Sequence, residues 1–499
     1  MIKNRKKVVI IGGGTAGLII ANQLKDFFNV VVVEKSKHQK YPVIFRIPLF
    51  IGLLFRKKTS KYFSKREFLM PNGRLIPFFE SNLLGGASVI NGCVHTIGGK
   101  SQWEPILKSF DLSYESILES NLKLYSKQNK NHKKIHLRSA YQNIIDKAFL
   151  DTLNNNNIPV GDTNFSDVES CGPILNTVKN YFRTSVLSVI DKKSFKIING
   201  EKIKKISFDT NGKVTGVETN RSLIDADYII LSGGVIGTND ILLRTKKNFN
   251  KEKSFFSNLN IGRGVKDHTN LRVNVFTTKN IGSLNEVSNS LFKKFFFVLR
   301  YLIGMPSLMR GTGATSAAHL DLNNDGIIDT RIQIVQFTET GRHGSDGNFF
   351  SKQPGFSISI TPINPSSNGE ITLLGDSQIV NPKYLSSSED IDLLKLALQY
   401  CLNLLRSKPI SNYILEIMDE DIIKNNPEKY IVKNIFSGHH LIGGMHDAVD
   451  TNFKVRNTEG LYVCDASIFE KYAASNIHSS VVLISDIFSK KFIKNNFDI

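Results

Sequence analysis

Residues Val8–Glu34 read VVIIGGGTAGLIIANQLKDFFNVVVVE. Val8–Ile11 is an apolar, mostly β-branched run, Gly12–Gly17 a turn, Leu18–Phe28 a helical stretch and Val30–Val33 a second apolar run. Apolar runs without polar alternation suit parallel strands covered on both faces. The turn has the spacing GxGxxG. Gly12 permits a tight bend, Gly14 lets the backbone approach a pyrophosphate, and Gly17 lets the helix lie close to the strand. A pyrophosphate would rest on the helix N-terminus, where free N–H groups and the helix dipole favour negative charge. Glu34 closes the second strand, where a carboxylate can accept hydrogen bonds from a ribose diol. The glycines alone are weak evidence. The strand–turn–helix–strand–Glu order predicts dinucleotide binding, without separating FAD from NAD.

The chain has 499 residues, enough for two or more cores at about 150 residues per domain. Lys and Arg number 64 against 45 Asp and Glu, a formal net charge of +19. Such an excess suits an anionic partner or a lysine-rich solvated surface. The basic residues form no single stripe and no nucleic-acid-binding motif occurs, so the reading is a solvated surface with no nucleic-acid partner. Cys93, Cys171, Cys401 and Cys464 are scattered without a CxxC, as expected of buried thiols in a reducing compartment. The N-terminus lacks the apolar core of a signal peptide, and the expected location is cytoplasmic. Val43–Phe55 and Phe295–Met305 are greasy, but both are interrupted and fall short of the roughly 20 residues that span a bilayer. They read as core helices, with a lid or membrane-surface contact as the alternatives.

Further along, residues 181–235 contain FKIINGEKIKKISFDTNGKVTGVETN, which predicts an antiparallel meander turning at its Asn-Gly pairs. ADYIILSGGVIGTNDILL then reads as an apolar strand, a glycine turn and a helix. Between 330 and 374, RIQIVQF, FSISITPI and GEITLLG read as strands, and Asp390–Leu405 as an amphipathic helix. The basic run at 130–134 reads as a solvated loop. Asp321–Asp329, DLNNDGIID, has the spacing of a calcium loop. Its twelfth position is Ile332 rather than Glu and no helix pair flanks it, so an acidic hairpin turn without metal is expected.

Two blocks carry the densest chemistry. Leu84–His95, LGGASVINGCVH, packs small residues so that a backbone segment can lie flat against a planar ligand. Residues 438–480 hold His439, His440, His446 and His478 around a strand-like LYVCDAS. Histidine titrates near neutrality and is the usual proton acceptor in catalysis.

The first block resembles the LGGxSxxNG signature of the glucose–methanol–choline (GMC) family of FAD oxidoreductases. Asn258–His268 (NLNIGRGVKDH), Pro354–Leu385 (with ITPINPSSNGEITL and NPKYL) and the histidine-rich block resemble further motifs of that family, in its order. The resemblance implies an α/β protein with a Rossmann-type FAD-binding domain and a second α+β substrate domain built on an antiparallel sheet. The FAD-binding domain would comprise residues 1–110, 181–275 and 434–499, and the substrate domain 111–180 and 276–433. Gly12, Gly14, Gly17 and Glu34 would hold the ADP half of FAD. Gly86, Ser88, Asn91, Gly92 and Val94 would lie along the pyrophosphate and isoalloxazine, and Asp465 and Ala466 around the ribityl chain and ring. Ile90 stands where some members carry a flavin-linked histidine, so non-covalent FAD is expected.

The resemblance also makes His440 the catalytic base and Asn476 its partner, which hydrogen-bonds the developing alkoxide. His478 is the rival for that second role. His439 would point away if the segment is extended, His446 reads as a polar loop residue, and His95 and His268 as structural. Three positions depart from the family pattern: Gly444 replaces a Thr, and Ile477 and Glu470 replace prolines. The implied reaction is oxidation of a CH–OH group of a small-molecule alcohol, sugar or polyol, with hydride passing to the flavin. The electron acceptor and the oligomeric state stay open. Non-redox or light-driven chemistry, and a membrane-surface flavoprotein, are the alternatives.

Overall fold

The β-branched runs at the N-terminus form the centre of a parallel sheet. In the computed structural model, which describes residues 5–40, 42–52, 61–128, 134–165, 167–248, 258–339 and 350–497, Lys7–Ile11 lies between Asn29–Glu34 and Tyr228–Leu231. Lys196–Asn199 extends one side and Leu461–Val463 the other, all parallel. In chain order the strands read 3-2-1-4-5, the doubly wound arrangement that binds ligands beyond the strands' carboxyl ends. Val8–Ile10 and Val30–Val33 are buried, as strands covered on both faces require.

The two ends of the chain meet on this sheet. The helices Thr15–Leu24 and Ile477–Asn496 pack together, and Asp486 accepts hydrogen bonds from Gln23 and Ser120 and an ion pair from Lys123. Ser120 and Asp486 are fully buried, so this junction is specific as well as apolar.

The second layer is an antiparallel sheet in the order Ile414–Ile417, Thr269–Thr277, Gly355–Pro362, Thr330–Val335, Ala314–Leu320, Ser170–Pro173. Helix Ser388–Arg406 lays its buried leucines on it. Two of the three strands expected between 330 and 374 belong here. The third, Gly369–Leu374, pairs instead with Ser377–Asn381 and Arg263–Lys266, and the latter pairs with Ile442–Gly444. This small sheet joins the histidine-rich block to the rest of the molecule.

Several expectations need correction. The meander is confined to Ile203–Phe208, Val214–Thr219 and Leu223–Asp225, with Asn211-Gly212 at its first turn. Lys196–Asn199 leaves it for the parallel sheet, where the N–H of Gly200 is taken by the Glu34 and Ser36 carbonyls. Residues 111–135, expected with the substrate part, bury Ile117, Leu124 and Ile135 in the core of the parallel sheet. Asp321–Asp329, by contrast, forms the expected hairpin, between Ala314–Leu320 and Thr330–Val335. Its Asp321 and Asp329 carboxylates accept N–H groups of the loop itself. The basic run near 130 lies largely outside the described residues.

Among the described residues, neither greasy stretch forms a core helix. Within Val43–Phe55, the described part forms two 3₁₀ turns, Val43–Arg46 and Pro48–Ile51; Leu53–Phe55 lie outside the described residues. Leu291–Leu302 is a helix that buries only Tyr301. Among the described residues, no helix is long and apolar enough to cross a membrane.

Candidate active site

One cavity of about 940 Å³ runs from the glycine turn of the parallel sheet to the histidine-rich block. That is at the upper end of ordinary ligand pockets. Its floor is built from backbone. Gly12 has φ +108°, and a Cβ there would meet the Ser232 carbonyl oxygen at 2.4 Å. Gly17 packs against Gly12 so closely that a Cβ would meet its oxygen at 2.0 Å. Gly14 differs: a Cβ would find only Gly86 Cα, 4.0 Å away, because this position opens into the cavity. The Glu34 carboxylate accepts the N–H of Gly13 at 2.6 Å and of Ser36 at 2.7 Å, so it is fixed at the rim of the turn. Burial raises its carboxyl above the usual range, against the pull of those N–H groups.

A second glycine turn, Ser232–Gly234, lies directly beside the first and lines the same cavity. Asp465 ties it down by accepting the Gly234 N–H and the Thr238 hydroxyl, with Ser467 N–H on its other oxygen. Sequence reasoning did not assign Ser232–Gly234 to the site, although SGG after an apolar strand carries the same strand–turn–helix signal as Gly12–Gly17.

The other end of the cavity carries His440 and Asn476. Asn476 Nδ2 stands 3.2 Å from His440 Nε2, and His440 Nδ1 stands 2.9 Å from His268 Nδ1. His268 Nε2 is 2.7 Å from the Ile363 carbonyl. A carbonyl only accepts, so His268 Nε2 carries the hydrogen. Both rings are held neutral. Burial, then Arg331, pushes His268 down to about 4, although its bond to Ile363 opposes this. Burial, then His268, His439 and Arg331, pushes His440 well below the ordinary imidazole range. Neutral His268 therefore accepts at Nδ1, His440 donates from Nδ1, and His440 Nε2 holds a lone pair. Arg331 donates to Asn476 Oδ1, which turns the amide N–H toward that lone pair.

The main chain of this segment is clamped as firmly. Asp267 accepts the His440 N–H at 2.7 Å and the hydroxyls of Tyr384 and Ser437, while His268 O accepts the Gly438 N–H. Tyr472 stacks on His268 with centroids 3.8 Å apart and donates to the His440 carbonyl. Gly444, the departure from Thr, has φ +97°, and a side chain there would meet Asn239 at 2.5 Å. Ile477 opens a helix at the position where proline is also favoured, so that departure leaves the helix start in place.

Of the residues expected at the site, Gly12, Gly14, Glu34, Gly86, Asn91, Gly92, Val94, Asp465, Ala466, His440 and Asn476 line the cavity. Gly17 and Ser88 do not. Gly17 sits behind the turn, and the Ser88 hydroxyl is committed to the Gly85 carbonyl at 2.7 Å. His439 lines the cavity too, because its φ of +59° breaks the extended run on which the alternation depended. Its ring packs on Phe78 and Phe79. His478 lies in the first turn of the Ile477–Asn496 helix, so it does not share a face with Asn476, and its buried Nε2 faces no partner. His268, expected to be structural, is a direct hydrogen-bond neighbour of His440. Arg331 was not anticipated, since one arginine in an apolar strand gives no signal.

An adenine dinucleotide fits what is present: an open Gly14, a fixed ribose acceptor in Glu34, a second glycine turn, and an unpartnered His478 nitrogen on the wall. The fold and this cleft define a two-layer enzyme with a dinucleotide-type domain and a histidine–asparagine pair at its far end. Residues 365–485, which include both members of that pair, match the family model described as GMC oxidoreductase. The motif resemblance is borne out: the chain carries the C-terminal domain of the GMC oxidoreductases and is an oxidoreductase by class. It is 24% identical over 549 residues to the oxygen-dependent choline dehydrogenase of Staphylococcus saprophyticus, covering 97% of this chain and 94% of that protein. It is 22% identical to the FAD- and quinone-dependent glucose dehydrogenase of Drosophila pseudoobscura pseudoobscura, covering 96% and 85%. The crystal structure of pyridoxine 4-oxidase from Mesorbium loti superposes with a TM-score of 0.81 at 16% identity, covering 98% of this chain and 99% of that one.

Proposed function

We propose that this chain oxidises a CH–OH group of a small-molecule alcohol or sugar, using non-covalently held FAD, with His440 as base and Asn476 as its partner. The observation that carries this reading is the lone pair on His440 Nε2, held 3.2 Å from an amide N–H at the end of a cavity floored by the glycine turn. When bound, FAD supplies the acceptor for the hydride leaving the carbinol carbon. Gly12, Gly14 and Glu34 would hold its ADP half. Gly86, Asn91, Gly92, Val94, Asp465 and Ala466 would line the rest.

A substrate hydroxyl inserted between His440 and Asn476 gives its proton to Nε2 and receives the Asn476 N–H on its oxygen. His268 keeps Nδ1 of the base protonated, so Nε2 stays the accepting nitrogen. Arg331 holds Asn476 in the donating orientation and places a cation behind the developing alkoxide. Asp267 and Tyr472 fix the main chain of the base. Leu49, Phe50, Ile51, Phe337 and Phe350 give that end an apolar wall that limits water.

Anaerobic addition of sugars, polyols, sterols and aryl alcohols to the yellow protein tests the reading, with bleaching of the bound flavin as the positive result. His440→Ala should keep FAD but slow bleaching by about 10²-fold or more. An unchanged rate in that variant, or no bleaching by any alcohol, would refute the assignment. After denaturation and filtration the yellow colour should pass through, because Ile90 offers no atom for covalent attachment; colour kept on the polypeptide would contradict it.

A further inference from the structure

The helix Leu291–Leu302, LFKKFFFVLRYL, stands on the surface with its apolar side outward. Leu291 is 83% exposed, Phe292 72%, Phe295 63% and Leu302 63%, and Phe296, Val298, Leu299, Ile303 and Met305 continue the patch. Scattered exposed leucines are ordinary, but a contiguous apolar surface of this kind marks an interaction site. At 100° per residue the exposed apolar side chains within Leu291–Leu302 occupy an arc of about 160°. Phe297 and Tyr301 occupy the opposite side and anchor the helix. Phe297 packs against the cluster of Leu284, Leu308, Val335 and Phe337, which Leu49 and Phe350 also join, and the Tyr301 ring lies 5.2 Å from Tyr181.

The borders of the arc are basic. Lys293, which pairs with Glu286 at 3.5 Å, and Arg300 fall on one edge and Lys294 on the other, and no acidic residue occurs between 289 and 306. The exposed Val43 and Ile44 lie in the same neighbourhood, since Arg46 stacks on Phe182 at 4.9 Å and Phe182 adjoins Tyr181. An outward apolar face flanked on both sides by cations, on a chain of net charge +19, matches an anionic lipid surface. It suits a protein partner less well, because lysine is depleted at protein interfaces and a second copy would bring the same positive charge.

We propose that Leu291–Leu302 is an interfacial helix that docks this protein on anionic bilayers without spanning them. Docking brings the Leu49–Phe337–Phe350 wall of the cavity toward the lipid, since those residues share one apolar cluster with Phe297. The proposal does not depend on the redox reading, because binding is measured without turnover.

Co-sedimentation with phosphatidylcholine vesicles, with and without phosphatidylglycerol, tests it on the full-length protein. The protein should pellet with the phosphatidylglycerol vesicles and stay in solution with phosphatidylcholine alone. A Phe292→Ser/Phe295→Ser/Leu302→Ser variant should remain in solution with both, at an unchanged melting temperature. Lys294→Gln/Arg300→Gln, which alters only exposed side chains, should weaken partitioning about thirtyfold, for two basic residues near an anionic surface. Failure of the wild type to pellet, or pelleting by the triple variant as by the wild type, would overturn the proposal. A wild-type dimer that becomes a monomer in the triple variant, with no vesicle binding, would overturn it in favour of a protein interface.

Discussion

His440 and His268 face each other through their Nδ1 atoms, 2.9 Å apart, and the Ile363 carbonyl on the far nitrogen of His268 decides which ring holds the proton between them. The tautomer of His440 is thus set by a main-chain oxygen two bonds of the network away. His268 is a positioning residue, and its replacement separates that role from simple packing. His268→Asn keeps an acceptor close to the old Nδ1 and should retain most activity. His268→Leu removes it and should lower the flavin reduction rate by about 10- to 100-fold, the loss expected when a buried N–H is left unsatisfied at about 1–3 kcal/mol. Anaerobic stopped-flow rates across pH distinguish the two: equal rates for Asn and Leu would mean that only volume matters at 268.

The parallel sheet was legible because its signal is local. Val8–Glu34 holds two buried strands, the turn and the carboxylate within one short stretch, each with its own period or spacing. His440 and Asn476 were legible only through motif order, since nothing in GHHLIGG says which histidine faces a cavity. The alternation used for His439 failed because φ is positive there, which sequence does not announce. His268 and Arg331 were illegible as site residues. They reach the site through pairing of 263–266 with 442–444 and through the second sheet, and both contacts are long-range. The same limit explains residues 291–302: a greasy helix reads alike whether its apolar side meets a core or solvent.

The two glycines of the turn should fail differently when replaced by alanine. In Gly12→Ala the new methyl meets the Ser232 oxygen at 2.4 Å on a backbone of positive φ, so the fold itself is strained. In Gly14→Ala the nearest protein atom is 4.0 Å away, and only a ligand is obstructed. Gly12→Ala should melt well below the wild type. Gly14→Ala should melt as the apoprotein does while retaining little flavin, as read from absorbance after gel filtration. Full flavin content in Gly14→Ala would remove the glycine turn from the cofactor site.

Tyr384→Phe tests the clamp on the His440 main chain. Its hydroxyl donates to Asp267, a buried carboxyl that burial raises to about 6 against the opposing hydrogen bonds of Ser437, Tyr384 and the His440 main chain. Loss of a hydrogen bond to a charged group costs about 1.5–3 kcal/mol. The carboxyl would then rise further in the folded state, so the deficit exists where Asp267 is ionised and fades as pH falls through that value. The melting temperature of the variant should trail the wild type most at pH 8 and approach it near pH 4. A gap independent of pH would show that the hydroxyl does not act through the carboxylate.

Arg331 is buried, and among the described residues no carboxylate pairs with it. Burial alone lowers it to about 10, which leaves it charged at neutral pH. Nη1 donates to Asn476 and Ser475, while Nε and Nη2 have no partner. An uncompensated buried cation is costly unless negative charge appears beside it, and the alkoxide expected between His440 and Asn476 is such a charge. Burial does most to keep His440 unprotonated, followed by His268 and His439, and the Arg331 cation adds to them. Removing it in Arg331→Met should raise the His440 pKa, and the acid limb of the pH–rate profile should move to higher pH. The rate on the plateau should fall as well, because Asn476 loses its fixed orientation and the alkoxide its cation. Arg331→Lys should keep the acid limb near its original place while losing the bond that orients Asn476. An acid limb in Arg331→Met at the wild-type pH would separate Arg331 from the base and leave it a purely structural cation.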